Sequence, residues 1–140
     1  YDWVNVSIVP PDRVADCWKE VAPLLQRAVN MSGGRFVLED VYHLLVMGEN
    51  QLWVVFEEGE IIACCTTAFT EYPQKRMLTG QFLGGKHLKD WAPQLEQVLE
   101  SWGRDHGCAG IELTGRRGWV RVLGKLGWDL TFYITEKSYE

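Results

Sequence analysis

The sequence predicts an α/β (α+β) domain, a mixed central sheet of about six strands flanked by about four helices. Three observations predict it. Runs of β-branched and aromatic residues alternate with segments whose apolar residues recur at helical spacing. The central strands follow one another across connections short enough to require antiparallel pairing. A helical segment then separates two later strands, the pattern of a parallel crossover. The 140 residues are enough for one domain over 1–140 and leave little room for a second.

Residues 3–9 form a first strand that stops at Pro10 and Pro11. Val14, Cys17, Trp18, Val21, Leu25 and Ala28 then recur on one helical face, with Pro23 expected to kink or divide that helix. Gly33 and Gly34 mark a loop. A second helix carries Glu39 and Asp40 in its first turn and Val41, Leu44 and Leu45 on its apolar face, and Gly48 stops it. Gln51–Phe56 and Ile61–Tyr72 are strands around the acidic turn Glu57–Glu60, a hairpin. Arg76–Leu83 is a fourth strand, ended by Gly84 and Gly85. A third helix over Leu88–Asp105 buries Trp91, Leu95, Val98, Leu99 and Trp102, with Pro93 tolerated in its first turn. Ala109–Thr114 is a fifth strand, Arg116–Leu126 a fourth helix ended by Gly127, and Asp129–Thr135 a last strand.

The apolar share, 46%, is that of a soluble globular protein, and no run approaches the length of a membrane span. A net charge of −5 excludes a general nucleic-acid coat. The charge is uneven: residues 1–74 hold 4 basic and 11 acidic side chains, whereas residues 75–125 hold 9 and 5. The basic segment suggests a local anion site, and scatter over a solvated face is the alternative. The seven Trp are large core fillers, with a base-stacking platform as the sharper alternative. Cys17, Cys64, Cys65 and Cys108 show no zinc spacing, so no metal site is expected. They read as reduced, mostly buried thiols, which fits a cytoplasmic setting. Cys64 and Cys65 would point to opposite faces of a strand.

The segment Gly118-Trp119-Val120-Arg121-Val122-Leu123-Gly124-Lys125-Leu126-Gly127-Trp128 ends a helix at glycine and opens a strand with an aromatic residue. Leu52–Val55, Gly59 and Ile61–Ile62 make a hairpin before it. Together with the element order, these resemble the GCN5-related N-acetyltransferases and their A-x-x-L-Y-x-K-x-G-F ending. The resemblance implies acetyl-CoA lying between strands four and five, its pantetheine arm paired with strand-four amides. It also implies a Q/R-x-x-G-x-G/A loop around the pyrophosphate at the start of the third helix, where free N–H groups favour an anion. Gln81 through Lys86 follows that pattern until Lys86 stands where Gly or Ala belongs. The cofactor-binding residues implied are Phe82, Leu83, Gly84, Gly85, Lys86, His87, Leu88 and Arg116. Gly84–Gly85 reads equally as an ordinary strand-ending turn.

Several positions depart from the family. Leu123 occupies the place of its general-acid tyrosine, Arg116 that of an asparagine, and Trp119 that of an alanine. Glu112 on strand five is the candidate base, its basicity raised if apolar rings surround it; a solvated strand glutamate is the alternative. Tyr133 could replace the missing acid or be an ordinary half-buried tyrosine. His43, His87 and His106 read as surface histidines, His87 drawing interest for its place in the phosphate loop. Arg117, Arg121 and Lys125 share a helical stripe suited to a 3′-phosphate, an acidic protein partner or solvent.

Two functions follow. One is an N-acetyltransferase acting on an amine, a small molecule or a protein lysine, with the acidic half of the chain steering a cationic acceptor. The other is a catalytically inactive binding or assembly module with a protein partner, as in small proteins associated with tailed bacteriophages, placed in the host cytoplasm or the virion. Neither involves nucleic acid or a membrane.

Overall fold

The computed structural model describes residues 4–114, 123–125, 127–129, 131 and 134–139. Five strands form one sheet in the order β1 (Val4–Val9), β2 (Gln51–Glu57), β3 (Glu60–Glu71), β4 (Arg76–Gly85) and β5 (Gly110–Leu113). The first four pair antiparallel, while β4 and β5 pair parallel across the crossover helix. The helices are α1 (Val14–Asn30), α2 (Leu38–Val46) and α3 (Leu88–Asp105), with a 3-10 turn over Pro11–Arg13 ahead of α1.

The sheet is covered on both faces. Val14, Val21, Leu25 and Val29 of α1, with Val41 and Leu45 of α2, bury Leu52, Val54, Cys64 and Phe82 on one face. Trp91, Leu95 and Leu99 of α3 bury Trp53, Val55, Ala63, Cys65 and Leu78 on the other. Alternation along the strands thus puts Cys64 and Cys65 into different cores, as their adjacency predicts. Trp53 and Trp91 are core fillers, 2% and 1% exposed.

Local chemistry explains the punctuation. The β2–β3 turn has Glu58 and Gly59 at φ +50° and +82°, the sense that matches strand twist in a tight hairpin. The Asp40 carboxylate accepts the Val37 N–H at 2.9 Å, fixing the start of α2. Of the two effects expected at Pro23, a kink or a division, the division does not occur: α1 runs through it. Fully buried Val21 and Leu25 on either side of it hold the helix against the sheet, and that packing outweighs one missing hydrogen bond.

The chain's last third is described in part. Leu123 and Gly124 are helical. Gly127 at φ +90° then reverses the chain, its N–H donating to Gly124 O and the Trp128 N–H donating to Leu123 O. This is a Schellman stop at the glycine that the sequence marks. The rest of the expected fourth helix lies outside the described residues. The last strand expected over 129–135 is not seen at Asp129, Thr131, Ile134 or Thr135, and its other positions also lie outside them. Among the described residues the sheet therefore has five strands, and the α-helices number three. No helix among these residues is long and apolar enough to cross a membrane.

Candidate functional site

β4 and β5 are partners only from Met77–Gly110 to Gly80–Leu113. β4 then runs on through Gly85, paired on its other side with β3. The register shifts where Thr67 faces Gly80 and Thr66 faces Phe82, so Gln81 is an extra residue, a β-bulge. The Phe82 N–H donates to Thr66 Oγ1 at 3.2 Å. A bulge bends its strand, and here it lies where β4 leaves β5. Beyond it, Lys86 N–H donates to Ile62 O, which sets the alternation of the antiparallel ladder. By that alternation Leu83 and Gly85 turn their amides away from β3, toward the side where β5 has ended.

Glu112 stands one pair before this parting, opposite Thr79. Its Oε2 accepts the Tyr72 hydroxyl at 2.7 Å and the Thr79 hydroxyl at 3.0 Å. Thr79 in turn lies 2.6 Å from Thr70 Oγ1. Since the one Thr79 proton goes to the carboxylate, Thr70 is the donor in that contact. Leu78, Ile111 and Phe69 face α3, so alternation sends Thr79, Glu112 and Thr70 to the face of α1 and α2. The hydrogen bond to Glu112 is the main cause that raises the Tyr72 phenol above its ordinary range. The hydroxyl therefore stays protonated at neutral pH and keeps donating. Glu112 is thus surrounded by hydroxyls where the sequence allows for apolar rings. Among the described residues its Oε1 has no hydrogen-bond partner.

The other candidates fall as follows. Phe82 is buried beneath α1 and α2, edge-to-face with Phe36 at 5.3 Å, so its side chain does not fill the gap between β4 and β5. Leu83 packs toward α3. Gly84 and Gly85 lie within β4, although the sequence predicts that the strand ends before them. A Cβ on Gly84 would meet Leu24 O of α1 at 1.8 Å, and one on Gly85 would meet the Ala63 Cβ at 2.3 Å. These glycines let α1 and β3 approach closely. Only Lys86 and His87 link β4 to α3, and Leu88 is the first helical residue. His87 adopts a left-handed conformation at φ +58°, and the Trp91 indole N–H donates to Lys86 O. Gln81 lies in the strand and accepts Asn50 Nδ2 at 2.7 Å. Arg116, Trp119 and Tyr133 lie outside the described residues. Among those described, no three His, Cys, Asp or Glu side chains gather as metal ligands.

The edge of β4 past Gly80 thus fits an extended pantetheine arm, which pairs with amides as a strand does. At the turn before α3 the Lys86 N–H is bonded to Ile62 O, whereas among the described residues the N–H groups of His87, Leu88 and Lys89 have no partner and Gly85 is exposed, an arrangement open to an anion. A cleft of about 400 Å³ between α3 and residues 127–129 and 131 is lined by Glu96, Glu100, Arg104 and Trp128 and, among the described residues, contains none of the candidate site residues. Sequence reasoning missed Tyr72, Thr70 and Asn50. Tyr72 and Glu112 are 40 positions apart in the chain, with no local pattern that would join them.

No family model matches the chain, and no curated protein does. Solved structures do. One is an aminoglycoside acetyltransferase from an uncultured soil metagenomic sample, with a TM-score of 0.74 and 16% identity over 99% of this chain and 100% of that one. Another is a predicted acetyltransferase of Clostridium acetobutylicum with acetyl-CoA, at 0.72 and 14% over 97% and 96%. A third is a GCN5-related N-acetyltransferase of Ralstonia eutropha, at 0.69 and 15% over 99% and 100%. At these identities the likeness is one of fold, and the chain has the fold of the GCN5-related N-acetyltransferases.

Proposed function

We propose that this protein is an N-acetyltransferase that moves an acetyl group from acetyl-CoA to an amine. The parting of β4 from β5 immediately beyond Glu112 carries the reading. It sets β4 amides without a strand partner among the described residues and a carboxylate on two sides of one opening. Glu112 takes a proton from the ammonium of the acceptor at Oε1, directly or through a water. The freed nitrogen attacks the thioester carbonyl, a C–N bond forms, the C–S bond breaks, and the departing thiolate takes up a proton. The free amides along β4 polarise the carbonyl oxygen, and the strands hold the two reactants in line. Tyr72 and Thr79 fix the Glu112 carboxylate. Tyr133 is the residue we assign to return a proton to the thiolate. The acidic first half of the chain favours a cationic acceptor.

The test is acetyl transfer from acetyl-CoA to a panel of polyamines, aminoglycosides and lysine peptides. Glu112→Gln should lower kcat by about 10²–10⁴-fold while leaving donor KM nearly unchanged. Absence of transfer with every acceptor at millimolar donor would sink the proposal. A second reading, an inactive assembly or host-interaction module of phage type, draws on Leu123, which is helical and half-buried where the family carries its acid. It predicts folded protein with neither donor binding nor turnover.

A further inference from the structure

We infer that Gln81 is a specificity-determining residue on the acceptor side, its side-chain amide donating to an oxygen of the acceptor, so that the site selects a hydroxylated amine over a bare polyamine. The inference rests on the acetyltransferase reading and narrows its acceptor class. Gln81 is the extra residue of the bulge, two positions past Thr79, which stands opposite Glu112 in the β4–β5 pair. Two positions along a strand span about 7 Å. The Gln81 side chain lies on the face of α1 and α2. Its Oε1 accepts Asn50 Nδ2 at 2.7 Å, and the Asn50 N–H donates at 3.1 Å to Leu44 O in the last turn of α2. Thr79, Glu112 and Thr70 occupy that same face. Asn50 is buried, so its contact with Gln81 is held rather than exchanged with water. This contact uses the carbonyl end of the Gln81 amide and leaves both Nε2 protons without a partner among the described residues. Gln81 and Glu112 are each half-buried, so a ligand can reach both. The face thus presents a base, Glu112 Oε1, and further along β4 a pair of N–H donors. An amine with a hydroxyl several bonds from its nitrogen satisfies both groups. The second ammonium of a polyamine instead sets N–H donors and positive charge against N–H donors.

The experiment measures acetyl transfer from acetyl-CoA to aminopentanol, cadaverine and pentylamine, equal carbon chains that differ only at the end away from the reacting amine. The parent and Gln81→Glu are compared. The substitution keeps an oxygen for Asn50 and replaces the Nε2 donors with a second acceptor and a negative charge. In the parent, kcat/KM per amino group should favour the amino alcohol over the other two by about tenfold, the yield of one hydrogen bond. Gln81→Glu should reverse the order and favour the diamine by about tenfold, since its second ammonium now meets a carboxylate. A parent that treats amino alcohol and diamine alike, or an order unchanged in Gln81→Glu, overturns the inference and leaves the acetyltransferase reading standing. Absence of transfer to all of these chains also overturns the inference, and the reading falls with it only if the wider amine panel fails as well.

Discussion

Replacing Gly84 with alanine tests whether this glycine serves packing or ligand. The added Cβ would lie 1.8 Å from Leu24 O and 2.8 Å from Leu24 C, both main-chain atoms of α1. No side chain can rotate away. Restoring ordinary contact requires α1 and β4 to separate by about 1.5 Å, which loosens the core formed by Val21, Leu25, Cys64 and Phe82. Overpacking of this kind costs about 3 kcal/mol or more, the upper end of its usual range. For a chain of this length that is a fall of about 10 °C in Tm. Gly124→Ala is the control. Gly124 is helical, and an added Cβ there would meet nothing within 4 Å among the described residues, so alanine should stabilise by about 0.5–1 kcal/mol. Thermal and urea unfolding of both variants supply the readout. A Gly84→Ala protein within about 0.5 kcal/mol of the parent would refute the close approach of α1 and return Gly84 to the ligand.

Four further outcomes are expected. The Tyr72 phenol titrates above its ordinary 10.0, chiefly because it donates to Glu112, so ultraviolet titration of Glu112→Gln should move one tyrosine back toward that value. Because folding favours the protonated phenol, the stability this contact supplies is present below about pH 10 and fades as pH rises through the raised value; a parent and a Tyr72→Phe variant should therefore converge in alkali. Burial pushes Cys65 up to about 12 and raises Cys64 further, so a thiol reagent should label Cys17 and Cys108 in the native protein and all four only after unfolding. Phe82→Ala removes a ring that is 6% exposed and edge-to-face with Phe36, and should cost about 3–5 kcal/mol by denaturant unfolding.

The elements legible in the sequence are those with a local cause. The hairpin at Glu58–Gly59, the crossover through α3 and the stop at Gly127 each follow from a few neighbouring residues. Gly84 and Gly85 mislead because paired glycines normally end a strand, whereas here their reason lies in α1 and in β3, far away in sequence. The continuity of α1 through Pro23 is not legible, because propensity is local and the burial of Val21 and Leu25 is not. Glu112 is visible as a carboxylate on a strand. Its partners Tyr72 and Thr79 are not, since only the register of three strands brings their hydroxyls to one oxygen.

The extra residue in β4 has a consequence for how this chain can change. Gln81 is surplus to the ladder: Gly80 already faces Thr67, and Phe82 already faces Thr66. A chain lacking it would keep an unbroken two-residue rhythm, with Phe82 still beneath α1 and Leu83 still beneath α3. What it would lose is the bend that parts the two strands. The opening is therefore one amino acid in excess of the scaffold. A lineage could close it, or reopen it, by a single codon deletion or insertion without disturbing which side chains meet in either core.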